Sequence, residues 1–290
     1  MKRRRFITLA AGFACAPRLS VAQTWQGRAL GAEVSVRIEG PRDLTRQALA
    51  DLPGIIAGVE AAFSLFRPDS ELSRLNRQGG LRAPSQMMRA VLGDAARANR
   101  LTGGLFDPTV QPLWQALALG GDTAAAQALI GWERVSLNDA ITLEHGQALT
   151  LNGIAQGYAT DLVVQRLVAL GARQALVDLG EQAAVGGPFR LGLSDPSQGV
   201  VGWRTLRDGA VATSSPGALR LGAGQGHILA PDGRAPLWST LSIEAPSAAL
   251  ADALSTAAVF MDPKELARLK SAARLGRIIA VSDGGRVLRI

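Results

Sequence analysis

The segment SAALADALSTAAVFM, residues 247–261, places three oxygen-bearing side chains among apolar ones. Ser255 and Thr256 follow Asp252 by three and four residues, so all three share one face of a helix. Most other positions are Ala, Leu, Val or Phe, which predicts a helix buried nearly all round. A buried carboxylate is costly unless it is paired or binds a metal ion. A few hard oxygen ligands suit Mg²⁺, which also takes phosphate oxygens. The pattern therefore predicts a magnesium site formed by Asp252, Ser255 and Thr256.

A different interpretation of these three residues needs no metal. The two hydroxyls can bond back to carbonyls of their own helix, and Asp252 can pair with a distant arginine. That interpretation explains each residue singly, but it does not explain why all three converge on one face. We therefore favour the metal site.

A second segment, LTLNGIAQGYATDLVVQRLVALG at residues 149–171, joins a glycine-containing turn to an amphipathic helix. Apolar residues recur at helical spacing over residues 154–170, which predicts a helix that packs on the core. Gly153 and Gly157 leave the backbone uncovered where the helix begins, and a helix N-terminus presents free N–H groups. Close strand–helix packing or the approach of a ligand would each explain the two glycines.

The elements around these segments predict an α+β fold with mixed, largely antiparallel sheets packed with helices. We find no internal repeat or linker and expect one continuous domain over residues 23–290. The expected helices lie at about 44–63 (interrupted by Pro53), 86–101, after Asp122, and at 154–170, 248–260 and 263–273. The expected strands lie near 28–38, in short pieces across 135–151, near 174–179, 189–193, 201–206 and 237–244, and in a hairpin at 277–290.

Residues 1–22 have the three-part layout of a secretory signal peptide. A basic start precedes an apolar run from Phe6 to Ala16, and small residues Ser20 and Ala22 follow. The pair Arg3–Arg4 fits the twin-arginine form of such signals. We therefore predict export to the periplasm with a mature chain that begins at Gln23.

The charge and cysteine content exclude two classes of function. The formal net charge is +7, but residues 1–22 carry five basic residues and no acid, which leaves +2 for the remainder. Without a basic stripe or stacking aromatics, nucleic acid is not an expected partner. The single cysteine, Cys15, lies in the predicted signal peptide, so the mature chain is not expected to be a thiol enzyme.

Six motifs occur in an order that resembles the FAD:protein FMN transferase family, also called the ApbE family. They are FSLFRPDSELSRLN (63–76), GLFDPTVQPLW (104–114), GIAQGYATD (153–161), VATSS (211–215), HILAP (227–231) and ADALSTA (251–257). The resemblance extends along essentially the whole chain after the signal peptide. It implies FAD as the donor, a bound Mg²⁺, and transfer of FMN to a threonine of an exported or membrane protein, with AMP released.

Position by position, the resemblance also implies roles for individual residues. Asp252 and Thr256 correspond to side-chain ligands of the metal, and Gly153 corresponds to the residue whose backbone carbonyl completes the site. His227 corresponds to the catalytic histidine. The positions implied for flavin contacts are Leu30, Phe66, Leu105, Phe106 and Asp107, with Phe66 standing where family members often carry Tyr or Trp.

Several positions near the implied phosphate site depart from the family pattern. Thr150 stands where the family usually has Asp, Gln156 where it has Lys or Glu, and Ala230 where it has Asp. The usual Ser-Gly after VAT is replaced within Ser214–Pro216. An orienting carboxylate or a charge-offsetting cation contributes on the order of tenfold to a thousandfold in rate. Two alternatives therefore stay open beside the transferase: a protein that binds FAD without transfer, and an FAD pyrophosphatase.

Overall fold

An eight-stranded antiparallel sheet runs through the centre of the molecule in the computed structural model, which describes residues 21–222 and 224–290. Its strands, in spatial order, are β1 (Val21–Ala29), β2 (Ala32–Gly40), β6 (Gln174–Asp178), β7 (Gln182–Val185), β10 (Gly209–Ser214), β13 (Thr240–Ala245), β14 (Ile278–Val281) and β15 (Val287–Arg289). Smaller sheets contain β3 (Gly80–Leu81), β4 (Ser136–Leu137) and β5 (Ile141–Thr142), then β8 (Phe189–Asp195) with β9 (Gly199–Leu206), and β11 (Arg220–Leu221) with β12 (Gln225–Gly226).

Helices cover the sheet and share one large core with it. They are α1 (Arg42–Phe63), α2 (Glu71–Gln78), α3 (Gln86–Leu101), α4 (Gln111–Leu119), α5 (Thr123–Gln127), α6 (Ala155–Ala169), α7 (Ala248–Ala258) and α8 (Pro263–Ala273). Buried apolar residues of β2, α1, α3, α6, α7 and β13 belong to a single cluster. The arrangement confirms the predicted α+β fold with largely antiparallel sheets.

Several expected element bounds are confirmed and others were wrong. Helices α3 and α8 have the predicted bounds. The expected break at Pro53 does not occur, because Pro53 lies on the exposed face of α1 while Leu52, Ile56 and Val59 pack the other face into the core. The expected strand at 28–38 is instead a hairpin of β1 and β2 that turns at Leu30 and Gly31.

Other elements were not predicted at all. Helices α2 and α4 and strands β7 and β10 were missed, and residues 148–151 form no strand. Strand β7, QAAV, is short and rich in alanine, so it lacks the β-branched and aromatic residues that mark a strand.

The predicted signal peptide lies outside the described residues, apart from Val21 and Ala22. These two residues belong to β1 and pair with Gly40 and Glu39. Within the described ranges, no helix is both long and apolar enough to cross a bilayer.

Candidate active site

A cleft of about 410 Å³ opens where the turn into α6, the β6–β7 turn and α7 meet. Its walls come from segments far apart in sequence. The predicted site residues that line it are Leu105, Phe106, Asp107, Thr150, Gly153, Gln156, His227, Asp252 and Thr256. Nine of the twelve predicted site residues are thus brought together around one cavity.

The junction of α6 and α7 positions the carboxylate of Asp252. A Cβ on Gly157 would lie 2.3 Å from the Ala248 carbonyl oxygen, so only glycine permits this approach of the two helices. The Asp161 carboxylate accepts hydrogen bonds from the backbone N–H groups of Ala248 (2.7 Å) and Ala249 (2.9 Å) and thereby fixes the start of α7. Gly157 therefore serves the close packing of two helices, whereas the sequence suggested close packing of a strand and a helix.

The side chain of Asp252 is only 4% exposed and has little polar compensation. Its Oδ2 accepts one hydrogen bond, from the Gly157 backbone N–H at 3.0 Å. Burial raises the pKa of Asp252 to about 7, and the Gly157 hydrogen bond opposes only part of that effect. A carboxylate held in this way, at the wall of a cleft, gains from a cation.

Gly153 lies directly against Thr256. A Cβ on Gly153 would lie 3.0 Å from both the hydroxyl and the methyl group of Thr256 and 3.3 Å from the Phe106 ring. Any larger residue would fill the space between the turn and α7. The backbone of Gly153, the Thr256 hydroxyl and the Asp252 carboxylate therefore form a small oxygen-only set of donors, which fits Mg²⁺.

This donor set differs from the usual site for a softer metal. Across residues 21–222 and 224–290, no group of three or more His, Cys, Asp or Glu is placed to hold a metal ion. A site with few protein ligands leaves coordination positions for water and phosphate oxygens, as Mg²⁺ requires.

Ser255 does not join that set, which differs from the prediction. It is fully buried and does not line the cleft. Its hydroxyl lies 2.8 Å from the Ser214 hydroxyl and donates to the Asp252 carbonyl oxygen at 3.1 Å. The physical reason is the direction of its side chain, which points toward β10 and ties α7 to that strand.

His227 lines the cleft in an orientation set by the backbone. Its Nδ1 lies 3.2 Å from the Pro216 carbonyl oxygen and 3.3 Å from that of Leu219. A carbonyl can only accept, so Nδ1 carries the proton and Nε2 of the neutral ring is an acceptor. Burial lowers the pKa of His227, which favours this neutral form. His227 is therefore prepared to accept a proton.

The loop before α4 forms another wall of the cleft. Leu105 and Phe106 line the cavity and are largely buried. The Asp107 carboxylate accepts from the backbone N–H and hydroxyl of Thr109 at 2.8 and 2.6 Å and from the Trp132 N–H at 3.3 Å. Burial raises the pKa of Asp107. Its oxygens are thus occupied in shaping the loop.

The two neutral replacements near the implied phosphates also lie in the cleft. The Thr150 hydroxyl accepts a hydrogen bond from the Asn152 N–H at 3.2 Å. The Gln156 amide lies against Gly180, where a Cβ would come within 2.5 Å of it. Gly180 therefore leaves room for Gln156 beside the β6–β7 turn.

Two predicted flavin contacts do not reach this cleft. Leu30 lies at the β1–β2 turn, where its N–H donates to Glu60 Oε1 at 3.1 Å. Phe66 is 85% exposed. Neither residue lines the cavity, so the structure separates them from the other predicted contacts.

Glu181 lines the cleft but was missed by the sequence analysis. It is 8% exposed, and burial followed by the negative charge of Asp252 raises its pKa well above the ordinary value. The signal in the sequence is weak: a charged residue follows Gly180 at the end of the apolar strand ALVDLG. Arg190 also lines the cleft and packs over the Trp203 ring, with Cζ 4.4 Å from the ring centroid.

A set of oxygen ligands that fits a cation, in the same cleft as a neutral histidine, could organise phosphate groups and remove a proton from an attacking hydroxyl. Such groups are typical of an enzyme that acts on a phosphate ester or anhydride. A model of the ApbE family matches residues 30–279. The chain therefore belongs to the ApbE family.

Individual relatives agree with that assignment. The FAD:protein FMN transferase of Haemophilus influenzae is 25% identical over 247 residues, which are 71% of this chain and 70% of that protein. The FAD:protein FMN transferase of Rhodobacter capsulatus is 26% identical over 281 residues, which are 85% of this chain and 50% of that protein. These names support a transferase activity for the chain.

Solved structures show the same fold. The flavin transferase ApbE from Vibrio cholerae has a TM-score of 0.79 at 23% identity, covering 93% of this chain and 97% of that one. The ApbE protein from Thermotoga maritima has a TM-score of 0.80 at 25% identity, with coverages of 93% and 97%. The arrangement of helices and sheet is therefore that of known flavin transferases.

Proposed function

We propose that this protein is an exported, Mg²⁺-dependent transferase that moves the FMN half of FAD to a threonine hydroxyl of an acceptor protein and releases AMP. The observation that carries the proposal is the convergence of Asp252, Thr256, Gly153 and His227 on one cleft. Membership of the ApbE family supports FAD as the donor. The predicted signal peptide supports an acceptor in the periplasm or at the membrane.

In this proposal, Asp252 and Thr256 hold the cation together with the Gly153 backbone. Mg²⁺ bound there would offset the charge of the pyrophosphate and polarise it. Arg190 adds positive charge to the same cleft. The acceptor hydroxyl oxygen attacks the phosphorus on the FMN side, a new O–P bond forms, and the bond to AMP breaks. Nε2 of His227 takes the hydroxyl proton, and AMP leaves with the bonding electrons.

The neutral residue at Ala230 bears on the two alternative functions. Loss of a carboxylate at that position would weaken catalysis if the carboxylate oriented the histidine. Here the Pro216 and Leu219 carbonyls orient His227 through Nδ1. The orienting role is therefore supplied by the backbone, which favours the transferase over a protein that only binds FAD.

The experiment combines purified protein, FAD, Mg²⁺ and an exported flavoprotein domain with a target threonine. Covalent FMN and released AMP are followed together, with an acceptor in which alanine replaces the target threonine as the control. We expect equal amounts of both products with wild type, loss of both with EDTA, and a rate lowered by about a hundredfold or more in His227→Ala. FAD binding without either product would support the binding protein, and AMP without labelled acceptor would support the pyrophosphatase.

A further inference from the structure

The proposed reaction assigns no role to Glu181, although this residue lines the same cleft as Asp252. Glu181 lies in the turn between β6 and β7 and is held from two sides. Its backbone carbonyl accepts from the Thr160 hydroxyl at 3.1 Å, and its Oε2 accepts from the Thr213 backbone N–H at 3.2 Å. The backbone of Glu181 is therefore held by α6, and its carboxylate is held by β10.

Two residues on one face of α6 form hydrogen bonds to Asp252 and Glu181. Gly157 and Thr160 are three residues apart on this helix and so lie on the same face. The Gly157 N–H binds Asp252, and the Thr160 hydroxyl binds the backbone of Glu181. Asp252 and Glu181 are therefore both held against the same helix, and both residues line the same cleft.

The protein compensates each of the two carboxylates only in part. Both residues are more than nine-tenths buried. Within the described part of the chain, neither forms a salt bridge, and each has a hydrogen bond to only one of its oxygens, Glu181 Oε2 and Asp252 Oδ2. A cation would stabilise the charged form of two buried carboxylates that each keep an unpartnered oxygen at one cleft.

We propose that Glu181 is a further ligand of the divalent cation, so that the site holds Mg²⁺ between two carboxylates. This inference rests on the cation site of the proposed function. Protein sites for Mg²⁺ commonly use one or two carboxylates and complete the shell with water and substrate phosphates. A second carboxylate raises the affinity for the cation in the absence of FAD, so the enzyme binds its metal before its substrate.

The test measures cation binding without FAD and without turnover. Metal-stripped protein is titrated with Mn²⁺, with free Mn²⁺ followed by electron paramagnetic resonance, and with Mg²⁺ by calorimetry. Glu181→Gln keeps the acceptor for the Thr213 N–H but removes the charge. We expect it to weaken Mn²⁺ binding by on the order of tenfold to a hundredfold.

A matched control is Asp178→Asn, three residues away. Asp178 is also buried, but its carboxylate accepts from the Gly180 N–H and the Gln182 amide and does not line the cleft. We expect its Mn²⁺ affinity to stay within about threefold of wild type. Equal weakening in Asp178→Asn and Glu181→Gln would mean a general charge effect and would overturn the inference.

Two further results separate this inference from the proposed function. If Asp252→Asn weakens Mn²⁺ binding and Glu181→Gln does not, Glu181 is not a ligand and the inference fails alone. If neither variant changes the affinity for Mn²⁺, both the inference about Glu181 and the proposed cation site are wrong. The metal-free Glu181→Gln protein should unfold at the same temperature as metal-free wild type or higher. A lower unfolding temperature would assign Glu181 to the fold and overturn its role as a ligand.

Discussion

Two buried aspartates in this protein have opposite surroundings. Asp195, at the end of β8, is fully buried and its carboxylate accepts five hydrogen bonds. They come from the backbone N–H and hydroxyl of Ser197, the Gln198 N–H, and the hydroxyls of Ser239 and Thr240. Asp252 is nearly as buried but accepts only the Gly157 N–H. Burial alone therefore does not distinguish a structural carboxylate from a functional one.

The pKa values of the two carboxyls express this difference. Burial raises the pKa of Asp195, but the hydrogen bonds from Ser197, Ser239 and Thr240 outweigh it and lower the pKa to about 2. Burial raises the pKa of Asp252 to about 7, because the Gly157 hydrogen bond offsets too little of it. The protein itself stabilises the charge on Asp195 but compensates little of the charge on Asp252.

The largest expected effect that tests this contrast is the loss of transfer rate on substitution of Asp252. Asp252→Asn keeps an acceptor for the Gly157 N–H but removes the charge that holds the cation. We expect FMN transfer to slow by about a thousandfold, while the metal-free protein unfolds at an unchanged or higher temperature. Covalent FMN on the acceptor and thermal unfolding measure the two quantities. A large fall in unfolding temperature would place Asp252 with Asp195 as a structural residue.

Asp195 should respond in the opposite way. Asp195→Ala leaves the Ser239 and Thr240 hydroxyls and the backbone N–H groups after β8 without their acceptor. We expect the free energy of unfolding to fall by about 3 kcal/mol, measured by urea denaturation. The Mn²⁺ affinity of the folded variant should stay within about threefold of wild type, because Asp195 is not part of the cation site. Retained stability would contradict the structural role.

The sequence could predict the surroundings of Asp252 better than those of Asp195. The spacing of Asp252 and Thr256 on an apolar helix is a local pattern, and α7 indeed presents both to the cleft. The same spacing also suggested Ser255, because periodicity gives a face of the helix but not the partner strand that the side chain meets. The donors to Asp195 come from its own loop and from residues more than forty positions away, which no local pattern reveals.

Other parts of the site depended on tertiary contacts in the same way. Glu181 reaches the cleft only because β6 and β7 turn beside α6, and β7 was not predicted. The Pro216 and Leu219 carbonyls that orient His227 lie in and directly after a single 3₁₀ turn, Pro216–Ala218, which the sequence did not predict. The resemblance identified the histidine, but only the structure could show which backbone carbonyls contact its ring.

A pH series gives a smaller effect and sharpens the comparison at Asp195. The pKa of Asp195 is lower in the folded state than in the unfolded state. The charged carboxylate therefore contributes its full stability at pH values above the unfolded-state pKa, and this contribution is lost as the pH falls through the folded-state pKa. A shift from 3.8 to about 2 corresponds to about 2 kcal/mol. We expect the stability difference between wild type and Asp195→Asn, measured by urea denaturation, to shrink by this amount between about pH 4 and about pH 2. A difference that stays constant across this range would contradict the depressed pKa.

The smallest expected effect distinguishes two neighbouring residues on α7. Ser255→Ala removes the hydrogen bonds to Ser214 and to the Asp252 carbonyl, while Ser255 itself does not line the cleft. We expect it to lower the free energy of unfolding by about 1 kcal/mol and to leave Mn²⁺ affinity within about twofold of wild type. Thr256→Val, which keeps the shape and removes the hydroxyl beside Gly153, should instead weaken Mn²⁺ binding by about tenfold with little change in stability. Calorimetric titration measures the Mn²⁺ affinity of both variants, and urea denaturation measures their free energy of unfolding. If Ser255→Ala weakened the metal and Thr256→Val did not, the ligand on α7 would be the serine, and the side-chain directions described for this helix would be wrong.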